Sequence, residues 1–445
     1  MPIIHLPVRL KIVGWVYVSL IPLYLYYKSV FSLFPIFGKD IQWPILVKDI
    51  TGLIIVLSII PIATQKRRQI LSSVHWKASL LLFCFSIYYF IIGMISENGI
   101  LRSIMGARGY TFYAIVGIFL GALLLREVKD FLILKNILMI ICILISILAL
   151  IHRYIDEDFL IHPEMKIIFY GELYDWYTYE ERLRSFFMSP NTLGIFMALG
   201  ILLCTWTLVK PKSDHFIMVA PIALCLFSWV LILTRSRTAL VAVFLSTILM
   251  VSIVQPRLVK IFITISAVLL ISVITYTAYS DRLDDLIENP RLPLWKAYIN
   301  STLSDGKVLT IGHGVASVGR FGTETVVADL EMEEVLELLG KDQKVFFVDN
   351  YFVQCFYETG LFGLLMIIWI LWLWWQSYRF LKGAGLSLID KATLAIPVSL
   401  MFLVLIISLL TGALGTYPWN FLYWLLASGM LFVIKPMGRV AKTEK

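Results

Sequence analysis

The sequence predicts an all-α polytopic membrane protein of about 12 transmembrane helices with one large, partly helical extracytoplasmic loop. Three observations predict it. Of 445 residues, 59% are hydrophobic and only 15% charged, whereas a soluble domain runs near half and a quarter. Mean hydropathy is +0.85. Apolar runs of about 20 residues recur along the whole chain, the length a helix needs to cross ~30 Å of hydrocarbon. Lys and Arg collect in alternate gaps between those runs. Together these features exclude a water-soluble enzyme, a disordered chain and a secreted disulfide scaffold.

In chain order the expected spans are 12–33, 41–63, 78–95, 109–125, 131–151, 188–209, 216–233, 238–254, 261–279, 350–375, 392–411 and 419–434. The loop Lys66-Arg67-Arg68 is placed in the cytoplasm and the sides alternate from there. With residues at the span ends included, the inner side then holds 20 Lys+Arg and 5 Asp+Glu, and the outer side the remaining 18 and 25. A balance of +15 inside against −7 outside follows the positive-inside bias and puts both termini in the cytoplasm. The overall charge of +8 is therefore a matter of topology, and no nucleic-acid partner is expected. The five cysteines (Cys84, Cys142, Cys204, Cys225, Cys355) lie within apolar runs without metal or redox spacing, so no disulfide is expected. The run after Lys11 is too long for a cleavable signal core.

The chain divides into a transmembrane bundle of spans 1–9 (1–279), a large extracytoplasmic loop (280–349), and spans 10–12 with a cytoplasmic tail (350–445). A shorter outer loop, 152–187, is acidic and aromatic, with Tyr170, Tyr174, Trp176, Tyr177 and Tyr179. The 280–349 loop far exceeds the usual connection of about 4–6 residues. It predicts helices at 291–303 and 324–339, and Ile311-Gly312-His313-Gly314 reads as a tight turn.

Ionisable residues at span ends are costly in hydrocarbon and are functional candidates for that reason. Arg182 and Arg184 precede Pro190-Asn191 at the entry to span six, either as interfacial anchors or as ligands. Arg235 and Arg237 sit in the short outer hairpin Thr234-Arg235-Ser236-Arg237-Thr238, against the topological bias. They either snorkel to headgroups or bind a pyrophosphate, which a guanidinium fork matches bidentately. Arg291 with Trp295, His313 between two glycines, and Asp349-Asn350-Tyr351 complete the set. His313 is a turn residue or an imidazole base. Asp349 is a helix N-cap or a partly desolvated general base.

These clusters, over roughly residues 180–365, resemble the O-antigen ligase and O-antigen polymerase superfamily of envelope glycosyltransferases. The matching pieces are Arg182, Arg184, Pro190 and Asn191; the hairpin Thr234, Ser236, Arg237; Arg291 and Trp295 leading to Gly312 and Gly314; and Asp349, Asn350, Tyr351 ahead of Glu358, Gly360, Leu361 and Gly363. The resemblance implies glycan transfer from an undecaprenyl-pyrophosphate carrier at the outer face of the cell's inner (cytoplasmic) membrane, with no metal, cofactor or nucleotide sugar. It implies as partners the lipid-linked oligosaccharide, a growing or acceptor glycan, the bilayer, and candidate flippase and chain-length regulator proteins. Asp349, Arg237 and Arg291 would be catalytic. Arg182, Arg184, Asn191, Arg235, Trp295, His313, Asn350 and Tyr351 would contact substrate. The ligases typically carry His before that Asn-Tyr pair. Asp349 stands there in this sequence, which favours a polymerase over a ligase. A lipid-linked sugar transporter would more naturally place ionisable groups at mid-membrane, and a scaffold would leave the outer arginines without a ligand.

Overall fold

The computed structural model describes residues 8–21, 43–65, 73–95, 104, 106–154, 183, 190–210, 216–255, 291–314, 350–383, 385–411, 413–415 and 418–443. The described part is helical: α1 Val8–Ser19, α2 Trp43–Gln65, α3 Ser73–Ile95, a π-turn Arg108–Phe112 running into α4 Tyr113–Leu124, and α5 Val128–Tyr154. There follow α6 Pro190–Val209, α7 Val219–Thr234, α8 Arg237–Val254, α9 Arg291–Ser304, α10 Gly306–Ile311, α11 Tyr351–Gly383, α12 Leu388–Leu410 and α13 Trp419–Thr443.

Among the described residues, six helices (within α3, and α5, α6, α8, α11 and α12) are long and apolar enough to cross a membrane. Five shorter apolar stretches, in α1, α2, the π-turn with α4, α7 and α13, coincide with further expected spans. The span expected at 261–279, the helix expected at 324–339 and most of the 152–187 loop lie outside the described residues. Large apolar side chains such as Ile54, Leu57, Phe83, Ile222 and Leu365 stand exposed on the flanks. Helices suit such surroundings because they satisfy every backbone group internally.

Helix α4 lies at the centre, with all its residues but Ile115 buried. Its sequence Gly117-Ile-Phe-Leu-Gly121 lets the backbone of α13 come close. A Cβ on Gly117 would lie 2.7 Å from the Phe421 carbonyl oxygen, and one on Gly121 2.4 Å from that of Leu425. Spacing two small residues four apart is how helices associate where lipid removes the hydrophobic drive. Ser428 Oγ then donates to the Ile118 carbonyl at 2.7 Å across the same contact.

Helix α11 departs from the continuous span expected at 350–375. It is broken at Gly360, whose φ of 59° and ψ of −140° are non-helical. A side chain there would collide with the loop, since its Cβ would fall 2.5 Å from Leu309 O and 2.8 Å from Gly312 N. The loop helices α9 and α10 dock on this break, which defines a loop end of the bundle. At the opposite end, the Asp130 carboxylate accepts from the Arg126 and Glu127 amides at 3.0 and 2.9 Å and caps α5. Half-buried Arg126, in the connection between α4 and α5, has its pKa pulled down to about 10 by desolvation, with Asp130 opposing.

Candidate functional site

At the loop end, the Thr234–Arg237 hairpin is built by its hydroxyls. Helix α7 ends at Thr234, whose buried Oγ1 donates to Leu231 O at 2.7 Å and accepts from the Ser236 amide at 3.3 Å. Ser236 caps α8 by accepting from the Ala239 amide at 3.4 Å. Between them Arg235 adopts a left-handed φ of 51°, a conformation disfavoured for any side chain bearing a Cβ. Gly194 makes the hairpin fit, because a Cβ there would lie 2.7 Å from Ser236 Cβ. Thr234 and Ser236 are buried, and Arg235 and Arg237 exposed. Two hydroxyl residues thus hold a rigid turn that presents two guanidinium groups.

The Leu183 amide donates to Leu233 O at 2.9 Å, fastening the chain between Arg182 and Arg184 to the last turn of α7. Arg182 and Arg184 themselves lie outside the described residues. Asn191 is half-buried in the first turn of α6, which opens on Pro190 as the first helical residue.

The expected turn at 311–314 is present, with φ of 77° at Gly312 and 100° at Gly314. The His313 amide donates to Tyr357 O and the Gly314 amide to Glu358 O, each at 3.0 Å. Gly312 touches the last turn before the break, so a Cβ on it would lie 2.3 Å from the Glu358 carbonyl. The His313 imidazole stacks on Tyr357 with centroids 4.0 Å apart, and its Nε2 lies 3.1 Å from Ser301 Oγ on α9. Tyr298 packs edge-on against Tyr357 from the same helix. Burial first, then the charge of Glu358, pushes the Tyr298 phenol above its usual range. Trp295 is half-buried, and its Nε1 is enclosed without a hydrogen-bond partner among the described residues. Arg291 is the first residue of α9.

Helix α11 is capped by Asn350, whose Oδ1 accepts from the Phe352 and Val353 amides at 2.9 and 3.2 Å. Capping therefore falls to the residue after Asp349, which itself lies outside the described residues. Tyr351 is buried, with its ring 5.8 Å from that of Tyr110 and its amide donating to Thr411 O at 3.2 Å.

The structure adds partners that pattern reading did not supply. Glu358, fully buried, accepts from the Tyr110 hydroxyl at 2.8 Å and from Gln354 Nε2 at 3.1 Å. A carboxylate within an apolar run was the available signal. Arg108 pairs with Asp49 at 3.2 Å, and the Tyr113 hydroxyl donates to the same carboxylate at 2.9 Å.

One chain of contacts links these pieces. Asn420 Nδ2 donates to the Gly109 and Tyr110 carbonyls at 2.7 and 3.1 Å. Its neighbour Trp419 packs on Phe196 with centroids 4.7 Å apart, two residues along α6 from Gly194, which meets the hairpin. The hairpin, the start of α6, the π-turn, the glycine turn and the start of α11 therefore share the loop end.

A polytopic α-helical architecture of apolar helices, with polar groups gathered at one end, is that of an integral membrane protein. Residues 222–368 match the family model described as O-antigen ligase, which supports the O-antigen ligase and polymerase superfamily. The match runs from α7 through the arginine hairpin and the glycine turn into α11. The chain has no match among curated proteins.

Proposed function

We propose that the protein joins undecaprenyl-pyrophosphate-linked oligosaccharide repeat units into an envelope polysaccharide at the outer face of the cytoplasmic membrane. The observation that carries this reading is the family match over 222–368, whose span holds the hairpin arginines, the glycine turn and the start of α11.

In the reaction, a hydroxyl oxygen of the acceptor sugar attacks the anomeric carbon of the donor. The bond from that carbon to the pyrophosphate oxygen breaks, and the carrier pyrophosphate leaves with the electron pair. The hydroxyl proton passes to Asp349. Arginines 235 and 237, on a turn fixed by Thr234 and Ser236, are suited to bind the leaving group. Their guanidinium forks match phosphate oxygens and compensate the charge that develops as the bond breaks, in the role a divalent metal fills elsewhere. Arg291 supports them from α9, with Arg182 and Arg184 beside Leu183. Orientation toward the outside rests on the charge bias of the loops.

Incubation of the purified protein with a lipid-linked repeat unit, read as product length on a gel, tests this. A ladder of products is expected. A single addition to a different acceptor would make the protein a ligase, and no addition at all would refute transfer.

A further inference from the structure

Glu358 is wholly buried in α11, and both of its carboxyl oxygens accept. The Tyr110 hydroxyl donates to Oε2 at 2.8 Å and Gln354 Nε2 to Oε1 at 3.1 Å. An acid that accepts at both oxygens presents no donor toward Gln354, so it fixes which end of that amide faces it. The NH2 group turns inward and the carbonyl Oε1 turns away. Gln354 is half-buried, and among the described residues its Oε1 meets no donor. A carboxamide in an apolar span carries a desolvation cost that a leucine would avoid.

The orientation is set from a distance. The Tyr110 ring lies 5.4 Å from that of Tyr89 and 5.8 Å from that of Tyr351, and its carbonyl accepts from Asn420 on α13 at 3.1 Å. These contacts hold Tyr110, its hydroxyl holds Glu358, and Glu358 holds the amide. Asn420, Tyr110 and Glu358 are buried, and only Gln354, at the end of the series, is partly open. The Gln354 backbone amide closes the first turn of α11 onto the Asn350 carbonyl at 2.9 Å. Residues four apart share a helix face. Gln354 therefore stands one turn from the Asp349-Asn350 pair, to which the proposed reaction assigns the acceptor hydroxyl.

We propose that Gln354 is a specificity-determining residue, presenting a fixed carbonyl that accepts from a hydroxyl or amide N–H of the acceptor sugar. The inference rests on the glycan transfer proposed above and adds to it the group that reads the sugar. A site built to take a hydrogen bond rejects a sugar without a donor at that position, because its own acceptor is then left unpaired. The arrangement also predicts how to reverse it. In Glu358→Gln the Tyr110 hydroxyl keeps an acceptor, so the new amide turns its NH2 toward Gln354. Gln354 then accepts with Oε1 and presents its own NH2 outward. Shape is preserved, while the group offered to the sugar changes from acceptor to donor.

The test uses the full chain in phosphatidylglycerol nanodiscs and calorimetric titration with two probes. One is the repeat-unit oligosaccharide freed from its carrier by mild acid, and the other is undecaprenyl pyrophosphate without sugar. The freed oligosaccharide lacks the pyrophosphate by which a donor is held, so it reports on the acceptor side. Gln354→Met keeps the length of the side chain without the amide, and glycan affinity is expected to fall about tenfold, the scale of one hydrogen bond. Glu358→Gln should weaken it as much, with an unfolding temperature near the parent's. Combining the two should add no further loss, as for residues that act as one unit. Affinity for undecaprenyl pyrophosphate should stay at the parent's level throughout. Parent-level glycan affinity in Gln354→Met or in Glu358→Gln would overturn the proposal. So would a parent without saturable glycan binding, or equal losses for glycan and carrier, which mark a general disturbance of the fold. Transfer by the parent beside an indifferent Gln354→Met refutes this site and leaves the reaction. Glycan affinity that responds as expected in a protein forming no glycosidic bond refutes the reaction and leaves this site standing.

Discussion

The Tyr110 hydroxyl donates to the Glu358 carboxylate at 2.8 Å across 248 residues of chain. The bond joins the π-turn to the last turn of α11 before its break, and the same residue's carbonyl receives the Gly314 amide. One buried glutamate thereby ties the membrane bundle to the turn that carries His313.

Replacing Glu358 separates the bond from the charge. Glu358→Gln keeps an acceptor of the same shape. Glu358→Ala strands the buried Tyr110 hydroxyl, at about 1–3 kcal/mol, and removes the acceptor of half-buried Gln354. Thermal unfolding of the purified protein should show a marked drop for the alanine variant and a small change for glutamine.

The glycine turn gives a sharper steric test. At Gly312 a Cβ would meet the Glu358 carbonyl at 2.3 Å on a backbone with φ of 77°. The Cβ position is fixed by the backbone and the atoms it meets are main chain, so no rotamer change relieves the clash. Gly312→Ala should undock α9 and α10, read as faster amide exchange over 291–311. Gly306→Ala is the control, because its Cβ meets nothing within 4 Å and α10 gains up to about 1 kcal/mol of helix propensity.

At the arginine hairpin, stability and activity should move in opposite directions. Arg235→Gly relieves a left-handed φ of 51°, worth about 1–2 kcal/mol. If Arg235 contacts phosphate, this variant should unfold at a higher temperature yet transfer glycan more slowly. Arg237→Lys retains the charge and loses the fork, and turnover should fall on the order of 10²-fold with expression unchanged.

Much of this organisation is legible in the sequence. The helices follow from unbroken apolar runs, and the helix expected at 291–303 is observed as Arg291–Ser304. The Gly-His-Gly turn follows from residues that tolerate positive φ. The break at Gly360 does not follow, because hydropathy runs straight through Gly-Leu-Phe-Gly and is blind to backbone angles. Helix α10 escapes because six residues capped by Asp305 carry too little periodicity. Glu358 was visible as part of a motif, but its partner Tyr110 was not, since a bond between distant segments leaves no mark on local pattern. Asn350 and Asp349 are both good capping residues, and only the amide geometry assigns the cap to Asn350.

That assignment bears on Asp349. With Asn350 capping α11, Asp349→Asn should leave the unfolding temperature unchanged. If Asp349 accepts the acceptor's proton, its loss should slow transfer by about 10²–10⁴-fold while donor binding is retained. Normal transfer by this variant would make Asp349 structural and turn attention to His313, whose Nε2 faces Ser301.

The central claim is that a glycosidic bond is made at the expense of a carrier linkage. The most direct measurement counts undecaprenyl pyrophosphate released against glycosidic bonds formed, using purified protein and a lipid-linked repeat unit. The account predicts one carrier pyrophosphate released per bond, with both falling together in Arg237→Ala. Repeat units that cross the bilayer still attached to their carriers, with no pyrophosphate released, would contradict it and identify a transporter.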